Sequence, residues 1–178
     1  WARVLQALRD ALALDRPLLL AHSFGGGSCL VAAGADPAAW RGVVLVASMG
    51  VSLHREMRWP AWVYRLLAAG LRFPPTRPLF LAGGRRAYRR SGFTVPSSWR
   101  ELLLHVDLLA SVDFPRLGAA ARAATLPALA VSSLDDRICE PAIQRELAAT
   151  LPDCTPLVFE TGGHHLQKHR ARESARAM

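Results

Sequence analysis

The sequence contains a single lysine, Lys168, and three cysteines, Cys29, Cys139 and Cys154, none of them in a CxxC pair. An odd number of cysteines without paired spacing predicts neither a disulfide framework nor a zinc site, and leaves three reduced, partly buried side chains. Long apolar runs are also absent. The runs ending at Ala21 and spanning Val43 to Ala47 fall far short of the ~20 residues needed to cross a bilayer. No GxGxxG fingerprint or phosphate-loop lysine is present, which removes the dinucleotide and nucleoside-triphosphate readings. No set of His, Cys and acidic residues has metal-ligand spacing, so neither metal nor cofactor is expected. The opening residues Trp1-Ala2-Arg3-Val4 lack the basic and apolar regions of a secretion signal, and a cytoplasmic location is the expectation. The chain opens without Met, inside the helical stripe Trp1, Val4, Leu5, Leu8, Leu12, with no cap before it. A segment of a longer protein has that pattern.

What is present is a mostly apolar chain of 178 residues, 51% hydrophobic, with a net charge of +8. That length suits one domain, with or without a small insertion. The whole charge excess lies between Val51 and Arg122, where twelve arginines (Arg55, Arg58, Arg65, Arg72, Arg77, Arg85, Arg86, Arg89, Arg90, Arg100, Arg116 and Arg122) meet four acids. The basic patch Arg85-Arg86-Ala87-Tyr88-Arg89-Arg90 has no nucleic-acid-binding motif around it, so no nucleic-acid partner is predicted. An arginine-rich coding bias accounts for such a surface without phosphate binding.

The pattern predicts a helix over 1–14, ended by Asp15-Arg16-Pro17, then a strand from Pro17 to His22 buried on both faces. A Gly25-Gly26-Gly27 turn and a small-residue helix over Ser28 to Ala33 follow, then a second buried strand from Gly42 to Ser48. Strand, helix and strand joined by short links imply a parallel sheet. The alternation resumes with a strand at about Leu126 to Ser132, a helix from Pro141 to Thr150, a strand near Pro156 to Glu160 and a helix from Leu166. Between the blocks, the basic segment shows helical stretches at Trp59 to Leu71 and Trp99 to Ser111, separated by Pro74-Pro75, Pro78 and Gly83-Gly84.

Ser23 lies where a buried strand ends and a helix begins, in Ala21-His22-Ser23-Phe24-Gly25-Gly26. A serine there projects into the crevice at the carboxyl ends of parallel strands. Small residues two positions either side, Ala21 and Gly25, let the chain pass close to itself. The helix N-terminus behind it favours developing negative charge. This segment resembles the nucleophile elbow of the α/β-hydrolase family, with alanine where the first glycine is commonest.

The resemblance implies partners in the order Ser, Asp, His. Asp136 in Leu129–Ile138 matches the acid best, with Asp135 in reserve. Thr161-Gly162-Gly163-His164 resembles the Gly-His loop, with His164 as general base and His165 its neighbour and rival. Phe24 would offer its backbone N–H to the oxyanion. His22 is expected to pack within the elbow, and His54, His105 and His169 to lie on the surface or the cap. The implied fold is α/β: a partial α/β-hydrolase fold, a mostly parallel sheet of about four strands with flanking helices. Residues 1–50 and 123–178 form the core, and 51–122 a helical cap or lid whose Trp59, Trp62 and Trp99 shape an apolar mouth. The implied function is a serine hydrolase cleaving a small-molecule carboxylic ester or thioester through an acyl-serine intermediate. An acyltransferase or perhydrolase using the same residues, and an inactive fragment, are the alternatives. Family members usually carry earlier strands and a His-Gly loop with a second oxyanion donor. The chain alone is therefore expected to hold half an oxyanion hole.

Overall fold

The computed structural model describes residues 1–54, 59–91 and 94–177. Four strands, β1 (Leu18–His22), β2 (Gly42–Val46), β3 (Ala128–Ser133) and β4 (Cys154–Phe159), pair in sequence order and all in parallel. In register, Ala21 stands beside Leu45, Leu45 beside Ala130, and Ala130 beside Pro156.

The helices are α1 (Ala2–Ala11), α2 (Gly25–Ala35), α3 (Ala61–Arg72), α4 (Arg77–Ser91), α5 (Trp99–Ala110), α6 (Phe114–Ala123), α7 (Pro141–Thr150), α8 (Leu166–His169) and α9 (Ala171–Arg176). Because side chains alternate along a strand, the sheet has two apolar faces. Leu19, Ala21, Val43, Leu45 and Ala128 pack with Leu30 and Ala33 of α2, Ala121 of α6 and Leu147 of α7. Val44, Val46, Leu129 and Val131 pack with Leu166 of α8. Leu30, Leu45, Leu147 and Leu166 are fully buried, each stabilising the fold by about 1.5–3 kcal/mol relative to exposure.

The chain divides into two compact units, Trp1–Arg55 with Phe114–Met178, and Glu56–Asp113. The smaller unit has its own core, in which Tyr64, Ala68 and Leu71 of α3 meet Leu102 and Val106 of α5. Helix α6 belongs to the larger unit and packs on α2, where a Cβ at Gly34 would lie 2.3 Å from the Ala120 carbonyl oxygen. Among the described residues no helix is long and apolar enough to cross a membrane.

Three local expectations change. Strand β1 is not buried on both faces: Leu19 and Ala21 are buried, but Leu18 and Leu20 are exposed. Leu20 shares the face of its register partner Val44, and the Leu166 cluster on that face takes no residue from β1. The stripe of α1 also lies largely open, with Trp1, Val4, Leu8 and Leu12 exposed and only Leu5 against the core. The glycines at 25–27 are helical, so α2 starts directly behind Phe24.

Finally, a helix, α4, runs through Pro78 and Gly83-Gly84. Proline is tolerated in a first turn, where the missing N–H has no intrahelical acceptor. Gly84 leaves room for Leu102, whose Cδ2 would sit 2.4 Å from an added Cβ.

Candidate active site

Ser23 closes β1 in the left-handed region, at φ 54°, a conformation that costs a non-glycine residue roughly 1–2 kcal/mol. Three backbone bonds hold it there. Its N–H donates to the Val46 carbonyl at 3.1 Å, and its own carbonyl accepts from Met49 N–H at 2.8 Å and Gly26 N–H at 3.1 Å. The serine is thus pinned to the end of β2 while its side chain is turned out of the strand. Phe24 is right-handed helical and caps α2, and among the described residues its N–H has no hydrogen-bond partner. The tight place behind the turn is Gly26, not Gly25. A Cβ at Gly26 would lie 1.6 Å from Ser48 Oγ, whereas one at Gly25 meets only the Ala21 methyl at 4.0 Å.

Asp136 sits in the turn after β3, where its Oδ1 accepts from Ile138 N–H at 2.8 Å and Cys139 N–H at 3.0 Å. Its other oxygen, Oδ2, faces His164 Nδ1 at 3.1 Å. His164 Nε2 in turn lies 2.8 Å from Ser23 Oγ. The carboxylate side chain is almost wholly buried and the imidazole 11% exposed, so little water competes for these bonds. An Asp-bound Nδ1–H leaves the Nε2 lone pair directed at the serine hydroxyl, the arrangement in which an imidazole can take its proton.

The loop carrying His164 is braced on several sides. Gly162 and Gly163 have φ of 153° and 60°, which suit glycine. Asp135 accepts from Gly163 N–H at 2.8 Å and Gly162 N–H at 3.3 Å. The Gly163 N–H, helped by that of Gly162, holds the Asp135 carboxyl below its ordinary range. Ser133 Oγ donates to the Gly163 carbonyl at 3.0 Å, and His22 Nε2 bonds the His164 carbonyl at 2.8 Å. A carbonyl only accepts, so this bond puts a proton on His22 Nε2.

Of the two adjacent aspartates, therefore, Asp136 meets the imidazole and Asp135 holds the glycines before it. His165 is exposed, its ring tilted against that of His22 with centroids 5.6 Å apart, and outside the relay. Loss of some hydration around the ring, and then the neighbouring His164, lower its pKa.

Sequence reasoning missed two neighbours. His54, expected on the surface or the cap, is buried in the larger unit, and its Nε2 accepts from Gly50 N–H at 3.2 Å. Burial pushes its pKa down, so the ring is kept neutral. Cys139 is 4% exposed, and its thiol is pushed up to about 12, first by burial and then by the charge of Asp136. Its sulfur, a His164 ring nitrogen and an Asp136 oxygen all lie within 4.8 Å of one another. His105 stacks on Tyr88 within the smaller unit, and His169 ends α8. The only sequence signal for Cys139 was its place three residues after an aspartate.

Residues 1–177 match the sequence profile of the Alpha/beta hydrolase family. No curated protein matches the sequence. Among solved structures, the chain is similar to BpoC from Mycobacterium tuberculosis H37Rv, at 22% identity and a TM-score of 0.69 over 99% of this chain and 70% of that one. It is similar to the enol-lactonase from Burkholderia xenovorans LB400, at 18% identity and 0.69 over 99% and 69%. The esterase EaEST from Exiguobacterium antarcticum is similar at 16% identity and 0.68 over 99% and 70%.

Proposed function

Because the chain belongs to the alpha/beta hydrolase family, we propose that it is a serine hydrolase that cleaves carboxylic esters or thioesters through an acyl-serine intermediate. The observation that carries this reading is the relay from Ser23 Oγ to His164 Nε2 at 2.8 Å and from His164 Nδ1 to Asp136 Oδ2 at 3.1 Å.

Ser23 Oγ attacks the substrate carbonyl carbon while its proton passes to His164 Nε2. The carbonyl oxygen gains the negative charge, and Phe24 N–H, at the positive end of α2, stabilises it. Asp136 fixes the tautomer and offsets the charge of the imidazolium. Collapse of the tetrahedral intermediate breaks the bond to the alcohol or thiol, which leaves with the proton from His164. Water then repeats the sequence, giving its proton to His164 and releasing the acid and free Ser23.

The small-molecule substrate enters at the carboxyl ends of the strands, where Ser23, Asp136 and His164 sit. From its position in the chain, between β2 and β3, the helical segment acts as the cap. The test is turnover of p-nitrophenyl esters of graded chain length. A rapid burst of one nitrophenol per Ser23, absent in Ser23→Ala, supports the reading. Hydrolysis that persists unchanged in Ser23→Ala overturns it.

A further inference from the structure

We infer that Asp136, Cys139 and His164 form a binding site for a thiophilic divalent cation of the zinc type, and that the cation switches the enzyme off. The turn after β3 builds the site. Asp136 Oδ1 accepts the Ile138 and Cys139 N–H groups, and this wrap places the Cys139 sulfur against the relay. One sulfur, one ring nitrogen and one carboxylate oxygen then lie within 4.8 Å of one another. Tetrahedral zinc, with bonds of about 2.3 Å to sulfur and about 2.0–2.2 Å to nitrogen and oxygen, needs donor separations of roughly 3.3–3.8 Å. Side-chain movements of about an ångström close that gap. A fourth position falls to water or a nearby oxygen ligand.

The donors are already supported as metal ligands usually are. The two amides hold one Asp136 oxygen, and the other, which faces His164 Nδ1 at 3.1 Å, is the one that turns to the metal. His22 and Ser133 clamp the backbone of the histidine loop. A mixed sulfur, nitrogen and oxygen set selects zinc-like ions over magnesium or calcium, which prefer oxygen alone. Binding replaces the Cys139 thiol proton, which is released to solvent as the sulfur–metal bond forms.

The effect on chemistry does not depend on which ring nitrogen is used. A metal on Nε2 occupies the lone pair that faces Ser23. A metal on Nδ1 takes the place of the proton held toward Asp136; that proton moves to Nε2, which then has no lone pair to offer Ser23. Either way Ser23 is not deprotonated. This consequence rests on the serine-hydrolase reading; the binding site itself does not.

Cobalt(II) reports both. Added to the metal-free protein, it should give the near-ultraviolet absorption of a thiolate–cobalt bond with stoichiometry of one, and zinc should bleach it. The band should survive in Ser23→Ala and in Cys29→Ser with Cys154→Ser, and vanish in Cys139→Ser and Cys139→Ala, with circular dichroism confirming that all are folded. Zinc should also slow fluorophosphonate labelling of Ser23 and a chelator restore it. In Cys139→Ser, the zinc concentration that halves that variant's own metal-free labelling rate should rise at least tenfold.

Wild type without a thiolate–cobalt band, or a band retained in both folded Cys139 variants, overturns the site. A Cys139-dependent band with zinc-insensitive labelling overturns the switch. A cobalt band in a protein that never labels at Ser23 leaves the site standing and removes the hydrolase reading.

Discussion

Replacing Asp136 by asparagine exchanges one carboxylate oxygen for an NH2 group and leaves the shape of the side chain intact. In the native turn, Oδ1 is fixed by the N–H groups of Ile138 and Cys139 at 2.8 and 3.0 Å. The amide oxygen of Asn must take that position, because an NH2 there would face two donors. The NH2 is therefore forced into the place of Oδ2, opposite His164 Nδ1, which lies 3.1 Å away. Nδ1 must then accept, so the ring proton moves to Nε2 and points at the Ser23 hydroxyl. The base is lost although every heavy atom stays in place.

A wrong tautomer of this kind lowers turnover by roughly 10⁴, equivalent to about 5 kcal/mol of transition-state stabilisation. Asp135→Asn is the internal control. It keeps one oxygen for the closer Gly163 N–H, gives up the longer bond to Gly162, and should cost less than about tenfold. The assay is kcat for a p-nitrophenyl ester, with thermal melting to show that both variants fold. If Asp135→Asn proves the more damaging, or if folded Asp136→Asn stays within tenfold of wild type, the assignment of the two aspartates is wrong.

The elbow's packing predicts that Gly26→Ala, whose Cβ would strike the fully buried Ser48, loses about 1–3 kcal/mol and melts earlier. Gly25→Ala, with its nearest contact at 4.0 Å, should melt within a few degrees of wild type. His22→Ala removes a bond to the His164 carbonyl worth about 0.5–1.5 kcal/mol. It should lower kcat by about 2- to 13-fold with KM little changed, and His22→Gln, which keeps a donor, should recover most of the loss.

His54 is buried neutral with a lowered pKa, while in the unfolded chain it takes a proton below about pH 6.5. Its share of stability is full above that pH and is lost as pH falls through the folded pKa. Denaturant titrations from pH 5 to 8 should show a steeper acid-side loss in wild type than in His54→Gln; parallel curves would refute this.

The order of the strands was readable because each is a short apolar run bounded by proline or glycine. Ser23 and His164 could be singled out as candidates because a strained serine turn and a glycine-histidine loop leave local signatures. Glycine was the main source of error. A glycine that breaks a helix and one that lets two elements approach look alike in sequence: Gly84 under Leu102 and Gly34 against the Ala120 carbonyl are of the second kind.

Exposure was the other. Leu18 and Leu20 alternate with Leu19 in a run that reads as buried throughout, yet what covers each face is decided by elements distant in sequence. Cys139 has no motif. It reaches the relay only because two backbone N–H groups curl around Asp136, and no spacing rule shows that. In the sequence, Asp136 was preferred to Asp135 for the Arg137 and Ile138 that follow it; in the structure it is the Asp136 carboxylate that faces His164.

The most direct measurement is peptide mapping by tandem mass spectrometry after reaction with a fluorophosphonate. The expected result is one phosphonyl adduct, on Ser23, that forms in wild type and is lost in Ser23→Ala and His164→Ala. An adduct on another serine, or none in folded protein freed of metal, would contradict it.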